Sequence, residues 1–139
     1  MAITPSRSTP VTDASPGARH RISLRLDLAS GARVGPGKIR LLEEIASSGS
    51  ISAAGRALKM SYRRAWELVE DLNRHLGLPV VATAAGGSGG GGAKLTPAGL
   101  ALVAHYRAIE AASHAVASPH ITALEKAIAP NTDTKTATA

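Results

Sequence analysis

The sequence predicts a mainly α-helical fold carrying a small β-sheet. Three observations carry that prediction. Residues 39–76 hold three apolar-periodic segments parted by short polar breaks. A glycine-rich run at 86–92 is flanked by short β-prone stretches, Val80-Val81 and Lys94-Leu95. A further apolar-periodic segment begins at Thr96-Pro97 and runs for several turns. At 139 residues the chain is one domain by the usual length prior.

Residues 1–19 contain Pro5, Pro10, Pro16 and Gly17 and are expected to form a disordered arm. In 20–28, Ile22, Leu24, Leu26 and Leu28 alternate with Arg21, Ser23, Arg25 and Asp27, the period of a half-buried strand. Gly31, Gly35, Pro36 and Gly37 mark a turn region. The first helix is expected over 36–48, with Ile39, Leu42, Ile45 and Ala46 on one face and Glu43 and Glu44 outward. A short second helix follows from Ala53 to Leu58, capped by Ser52. Its Ala53, Ala54, Gly55 and Ala57 would let another helix cross closely. Lys59-Met60 makes the turn.

The third helix runs from Tyr62 to about Leu76, capped by Ser61 and stopped by Gly77. Ala65, Leu68, Val69, Leu72 and Leu76 form its buried stripe, and Trp66 is expected to flank and seal it. The strands around the glycine-rich run form a hairpin, with the strand at 20–28 as a candidate third member. Two strands after a helix-turn-helix make a wing. Pro97 opens a long helix to about Ala117. Ser118-Pro119 is expected to restart or kink it, and the helical pattern fades near Ala129. Residues 20–129 are therefore the expected domain and 130–139 a disordered tail.

Charge and composition narrow the function. The net charge is +6, with 16 Lys and Arg against 10 Asp and Glu. Arg56, Lys59, Arg63 and Arg64 cluster in sequence, while Glu67, Glu70 and Asp71 come later, a distribution suited to a nucleic-acid surface. With no Cys, disulfides, thiolate metal sites and Cys nucleophiles are excluded. The five His have no dense metal spacing, and no nucleophile stands beside a base, so neither enzyme nor metal site is expected. No apolar run is long enough to span a membrane, and the N-terminal stretch lacks the apolar core of a signal peptide, so a cytoplasmic protein is the default. The glycine-rich run lacks the spacing and lysine of a phosphate loop.

In a helix-turn-helix the second helix lays its first turns against base edges. That puts Ser61, Tyr62, Arg63 and Arg64 forward as base-reading residues. Lys38, Arg40, Arg56, Lys59 and Lys94 are the candidates for phosphate contacts, which position a protein without conveying sequence. Trp66 is assigned to packing ahead of DNA contact. Leu95, Leu102, Ile109 and Val116 recur every seven residues, with Tyr106 and Ser113 between, a stripe that seeks a partner helix.

Several stretches resemble the N-terminal domain of the ModE-type molybdate-responsive regulators. They are Ile51-Ser52-Ala53-Ala54-Gly55-Arg56-Ala57-Leu58, Met60-Ser61-Tyr62-Arg63-Arg64-Ala65-Trp66, Leu72-Asn73, the run from Gly86 to Ala93, and Leu95-Thr96 with Gly99. The resemblance covers roughly residues 20–128 and extends more distantly to LysR-type helix-turn-helix proteins. It implies a winged helix-turn-helix with a long C-terminal dimerisation helix, binding double-stranded DNA as a homodimer. Dimerisation through the first and last helices would enlist Ile39, Leu42, Leu102, Tyr106, Ile109 and Val116. The family senses molybdate through further C-terminal domains, for which the sequence up to Ala139 has no room. Direct molybdate binding is accordingly not expected, no cofactor is implied, and a repressor of molybdate transport or molybdoenzyme genes is the family expectation. Two departures stand out. Ala82 and Thr83 replace the acidic-basic pair that enters the wing, and Ser88 replaces a basic residue at its tip. Both remove phosphate contacts, so the rival reading is a winged-helix interaction module that acts with a separate sensor or regulator.

Overall fold

The computed structural model describes residues 20–84 and 92–130. The expected arm, the glycine-rich tip from Gly86 to Gly91, and all of the expected tail beyond Pro130 lie outside the described residues. Residues 23–110 pack as one compact unit. Residues 20–22 and 111–130 belong to a second. Along the chain come β1 (Leu26–Asp27), β2 (Arg33–Val34), α1 (Pro36–Ser48), α2 (Ile51–Ala57), α3 (Tyr62–Leu76), β3 (Val81–Thr83), β4 (Ala93–Leu95) and α4 (Pro97–Ala127).

In the 23–110 unit, α1 is the central element. Pro36 opens it, where a missing N–H costs nothing. Gly49 closes it in the left-handed region at φ 74°, its N–H donating to the Ile45 carbonyl. Ile39, Leu42 and Ile45 are buried as expected, and so is Leu41. Ala46 is exposed, against expectation. The buried arc is wider than a single stripe because α1 meets α2, α3, β2 and β4 on several sides.

The segment before α1 departs most from expectation. Leu24, Leu26 and Leu28 are half-buried between exposed neighbours, so the alternation holds. The ladder, however, is confined to β1, paired antiparallel with β2 as Leu26↔Val34 and Asp27↔Arg33. The Leu28 amide donates to the Ala32 carbonyl across a turn that Gly31 completes at φ 99°. That turn sends the chain back on itself, so β1 is no third wing strand, and the two hairpins are separate two-stranded sheets. Ala32 and Val34, in the expected turn region, are core residues.

The helix-turn-helix begins two residues earlier than expected, at Ile51 instead of Ala53. Ser50, not Ser52, caps α2, its Oγ accepting from the Ala53 amide at 2.9 Å. The cap shifts because Ile51, as the first helical residue, is buried. The Ser52 hydroxyl instead accepts from Arg56. α3 matches its expected bounds: Ser61 Oγ accepts from the Arg64 amide, and Gly77 at φ 78° ends the helix on the Asn73 carbonyl.

β3 and β4 pair as Val81↔Leu95, Ala82↔Lys94 and Thr83↔Ala93. This wing is fastened at its root. The Asn73 amide oxygen accepts from the Val80 N–H at 2.8 Å, and the Val80 carbonyl accepts from the Thr96 N–H at 3.0 Å. Thr96 Oγ1 donates to the Pro79 carbonyl and accepts from the Gly99 N–H, capping α4. The Ala93 N–H donates to the Gly49 carbonyl, joining β4 to the end of α1.

Within 23–110, α4 is tied to the rest by two polar contacts. Tyr106, buried among Leu and Ile, donates its hydroxyl to the Leu24 carbonyl at 2.8 Å. Burial, reinforced by Glu110, pushes the phenol up from its ordinary value. Arg107 grips Glu43 with both ends of its fork, at 2.8 and 2.9 Å, and also bonds Glu110. Glu43 therefore does not point idly outward, and its hydrogen bonds hold the Arg107 guanidinium firmly protonated.

Two more expectations change along α4. The helix is continuous through Pro119, with neither restart nor separate second segment. In the 20–22 and 111–130 unit, His20 bonds Glu125 and Ser118, both at 3.3 Å, while Val116, Leu124 and Ile128 are exposed. No described helix is long and apolar enough to cross a membrane.

Candidate nucleic-acid interface

The interface is built where α2 and α3 cross. A Cβ on Gly55 would stand 3.3 Å from the Ala65 Cβ and 3.3 Å from the Met60 carbonyl oxygen. The crossing therefore depends on small residues on both helices, as the Ala-Gly composition of α2 suggests. Lys59 adopts φ 61°, and the Met60 amide returns to the Gly55 carbonyl, so the turn is tight. Ala65, Val69 and Leu72 anchor α3 beneath it.

This anchoring leaves the first turn of α3 in solvent. Tyr62 is exposed, and the Arg63 and Arg64 side chains keep 84% and 60% of their surface. Their one carboxylate neighbour, Glu67, is loosely placed, 3.4 Å from Arg63 Nε and 3.8 Å from Arg64 Nη1. Exposed pairs of this kind hold side chains only weakly. Ser61 accepts the Arg64 N–H, which fixes the helix start and leaves its O–H available as a donor.

The phosphate candidates divide. Arg40, Lys59 and Lys94 are exposed and carry no ion pair among the described residues, and Arg56 is exposed with a single bond to Ser52. Lys38 is different. Its ammonium donates to Asp71 at 2.8 Å and to the Arg33 carbonyl, with 16% of the side chain exposed. It is engaged in joining α1 to α3, which corrects its assignment as a phosphate contact. The Lys38 hydrogen bond, with smaller help from His75 and Arg74, draws the Asp71 carboxyl below its ordinary value. A carboxyl lowered on folding stabilises the fold above the unfolded-state pKa of about 3.9, and that support is lost as pH falls through the folded value. Asp71→Asn should therefore lower the melting temperature at neutral pH and flatten its decline below about pH 4. A thermal-denaturation series in which wild type and variant decline in parallel would refute this.

The candidate dimer residues divide too. Ile39, Leu42 and Tyr106 have no exposed surface, so these three are core residues and cannot line an interface in this conformation. Leu102 is partly buried against the core. Ile109 and Val116 are 41% and 70% exposed. Trp66, expected to seal the core, is 42% exposed. The wing adds its own correction. β3 carries uncharged Ala82 and Thr83 outward, leaving Lys94 as the one basic residue of the two strands.

Three structural connections at the wing root were invisible to periodicity. Asn73, Thr96 and Gly99 converge on Pro79-Val80. Thr96 before Pro97 is legible as a helix cap, whereas Asn73 and Gly99 are marked only by the stretches that carry the family resemblance.

Comparison with known proteins agrees with this geometry. Residues 37–100 match the family model of bacterial regulatory helix-turn-helix proteins of the lysR family. The molybdenum-pterin-binding protein MopB of Rhodobacter capsulatus is 52% identical over 82 residues, 59% of this chain and 30% of that protein. MopA of the same organism is 44% identical over 90 residues, 65% of this chain and 34% of that protein. The DNA-binding transcriptional dual regulator ModE of Escherichia coli K12 is 40% identical over 85 residues, 61% of this chain and 32% of that protein. The chain thus spans about a third of the length of these curated relatives. Among solved structures, the CbnR_DBD–DNA complex aligns with a TM-score of 0.49 and 23% identity, covering 63% of this chain and 95% of that one. The family model and the ModE relative are described as regulatory. Residues 37–100 thus form a winged helix-turn-helix that is similar to the lysR-family model and to part of ModE and MopB.

Proposed function

We propose that this domain binds double-stranded DNA sequence-specifically in the cytoplasm and regulates transcription of genes for molybdate transport or molybdoenzymes. The observation that carries the reading is the exposed first turn of α3. Tyr62, Arg63 and Arg64 project from the second helix of a helix-turn-helix whose buried side is fully packed. Arginine can pair bidentately with guanine, and the N-terminal turns of such a helix reach base edges. Arg40, Arg56, Lys59 and Lys94 supply candidate phosphate contacts. The molybdenum connection rests on the names of the relatives alone.

A single recognition helix reads few base pairs, and a two-fold dimer reading paired half-sites remedies that. Ile109 and Val116 are exposed apolar side chains of α4 that suit such a contact. The test is a gel shift across a salt series, comparing duplexes from molybdate-transport promoters and from the region upstream of the chain's own gene with random sequence. Preference for one promoter, weakening with salt, supports the reading; equal binding to all duplexes at low salt sinks it. The uncharged outer face of β3 favours, as a second reading, an interaction module that docks on another regulator.

A further inference from the structure

We propose that Trp66 is a DNA-backbone contact: a groove between α3 and the wing seats the sugar–phosphate strand of the duplex, with the indole as its floor. The proposal rests on the DNA-binding reading above. The groove has a volume of about 260 Å³ and is lined by Ser50, Ser52, Tyr62, Trp66, Thr83 and Ala93, among others. Two features suit a phosphodiester strand. No carboxylate side chain lines it, and its polar side-chain groups are hydroxyls and the Trp66 indole N–H. Among the described residues, the Tyr62 and Thr83 hydroxyls and the Trp66 indole N–H have no partner, so they stand ready for an acceptor-only ligand. The deoxyribose supplies the apolar surface that an indole face takes.

The other side of Trp66 makes the choice of strand path definite. There a second hollow is lined by Glu67, Glu70 and Asp71 together with Lys38, Arg64 and Arg74. Its three cations are each paired with one of those carboxylates, so it offers a phosphate chain no net positive field. Trp66 divides a hollow whose charges are paired internally from a carboxylate-free, donor-rich one, and the strand belongs in the second. Its place one turn beyond Tyr62 on α3 sets it behind the base-reading turn, where contacts fix register.

The chain has a single Trp, so its emission reports on this residue alone. Titrating the full chain with a random-sequence duplex and with a promoter duplex should quench or shift the emission and protect it from acrylamide in both cases. Trp66→Ala should weaken binding to both duplexes by roughly tenfold. Trp66→Phe, which retains an aromatic ring but no donor, should weaken both by roughly threefold with an unchanged melting temperature. Neither should alter the slope of affinity against salt, because no charge is removed. Binding by gel shift with unaltered emission and acrylamide access overturns the proposal and leaves the DNA-binding reading intact. Loss confined to the promoter duplex also overturns it, since that would make Trp66 a base reader. Absence of any gel shift overturns both.

Discussion

Replacing Arg63 and Arg64 together by alanine is expected to abolish discrimination between a target promoter and random duplex, while the domain stays folded. Each bidentate arginine–guanine pair contributes about 1–3 kcal/mol of discrimination. The structural cost is small. The two side chains are 84% and 60% exposed and share one loosely held partner, Glu67. An exposed helical pair of that sort contributes about 0.3–0.5 kcal/mol. Affinity for random duplex should fall too, because two cations leave the surface, and its salt slope should flatten. Competition gel shifts and a melting curve on the same protein check both halves. Retained promoter preference would remove these residues as base readers. Retained docking on a partner regulator, in a variant that no longer distinguishes sequences, would separate the two functional readings.

Gly99→Ala is expected to have the largest effect on stability. A Cβ at this position would lie 2.2 Å from the Val80 carbonyl oxygen and 3.1 Å from its carbon. Real Cβ atoms do not approach below 3.0 Å, and the obstacle is backbone, which cannot swing aside as a long side chain can. Relief requires α4 and the wing root to part, at the expense of the Thr96–Val80 hydrogen bond. Overpacking of a tight contact costs about 1–3 kcal/mol, occasionally more, and loss of the bond adds about 1 kcal/mol. Urea or thermal unfolding measures the change. Gly37→Ala is the control: nothing lies within 4 Å of its Cβ, and alanine in a helix is favoured over glycine by about 1 kcal/mol. Equal behaviour of the two variants would show that the Val80 contact is not the constraint it appears on geometric grounds.

Much of the helix-turn-helix was legible because its signals are local. Ser61 and Gly77 bracket α3 with a side-chain cap and a left-handed stop, and the Ala65-Val69-Leu72 spacing points inward without reference to anything distant. The misread features all depend on what lies across from a residue. Periodicity marks Ile39 and Ile109 alike as apolar stripe members. Only packing shows that the first is covered by its own chain and the second is 41% exposed. Alternation at 20–28 announces a strand but cannot name its partner, and the Gly31 turn supplied one at Arg33-Val34. Trp66 was expected to flank and seal the buried stripe of α3, yet 42% of it is exposed. Lys38 looked like a free cation until Asp71, 33 positions later, met it.

Val80 gives the core one small side chain, but its peptide groups act as a joint between three elements. Its N–H is held by Asn73 on α3, and its carbonyl is held by the start of α4. Exchange of the Val80 and Thr96 amide hydrogens with solvent therefore requires those elements to separate together, a sub-global event. The Ala84 amide, bonded across the wing to the Gly92 carbonyl, needs only the outer rung to open. The wing thus has a root whose opening is tied to the helices that hold it and an outer rung governed by a local equilibrium.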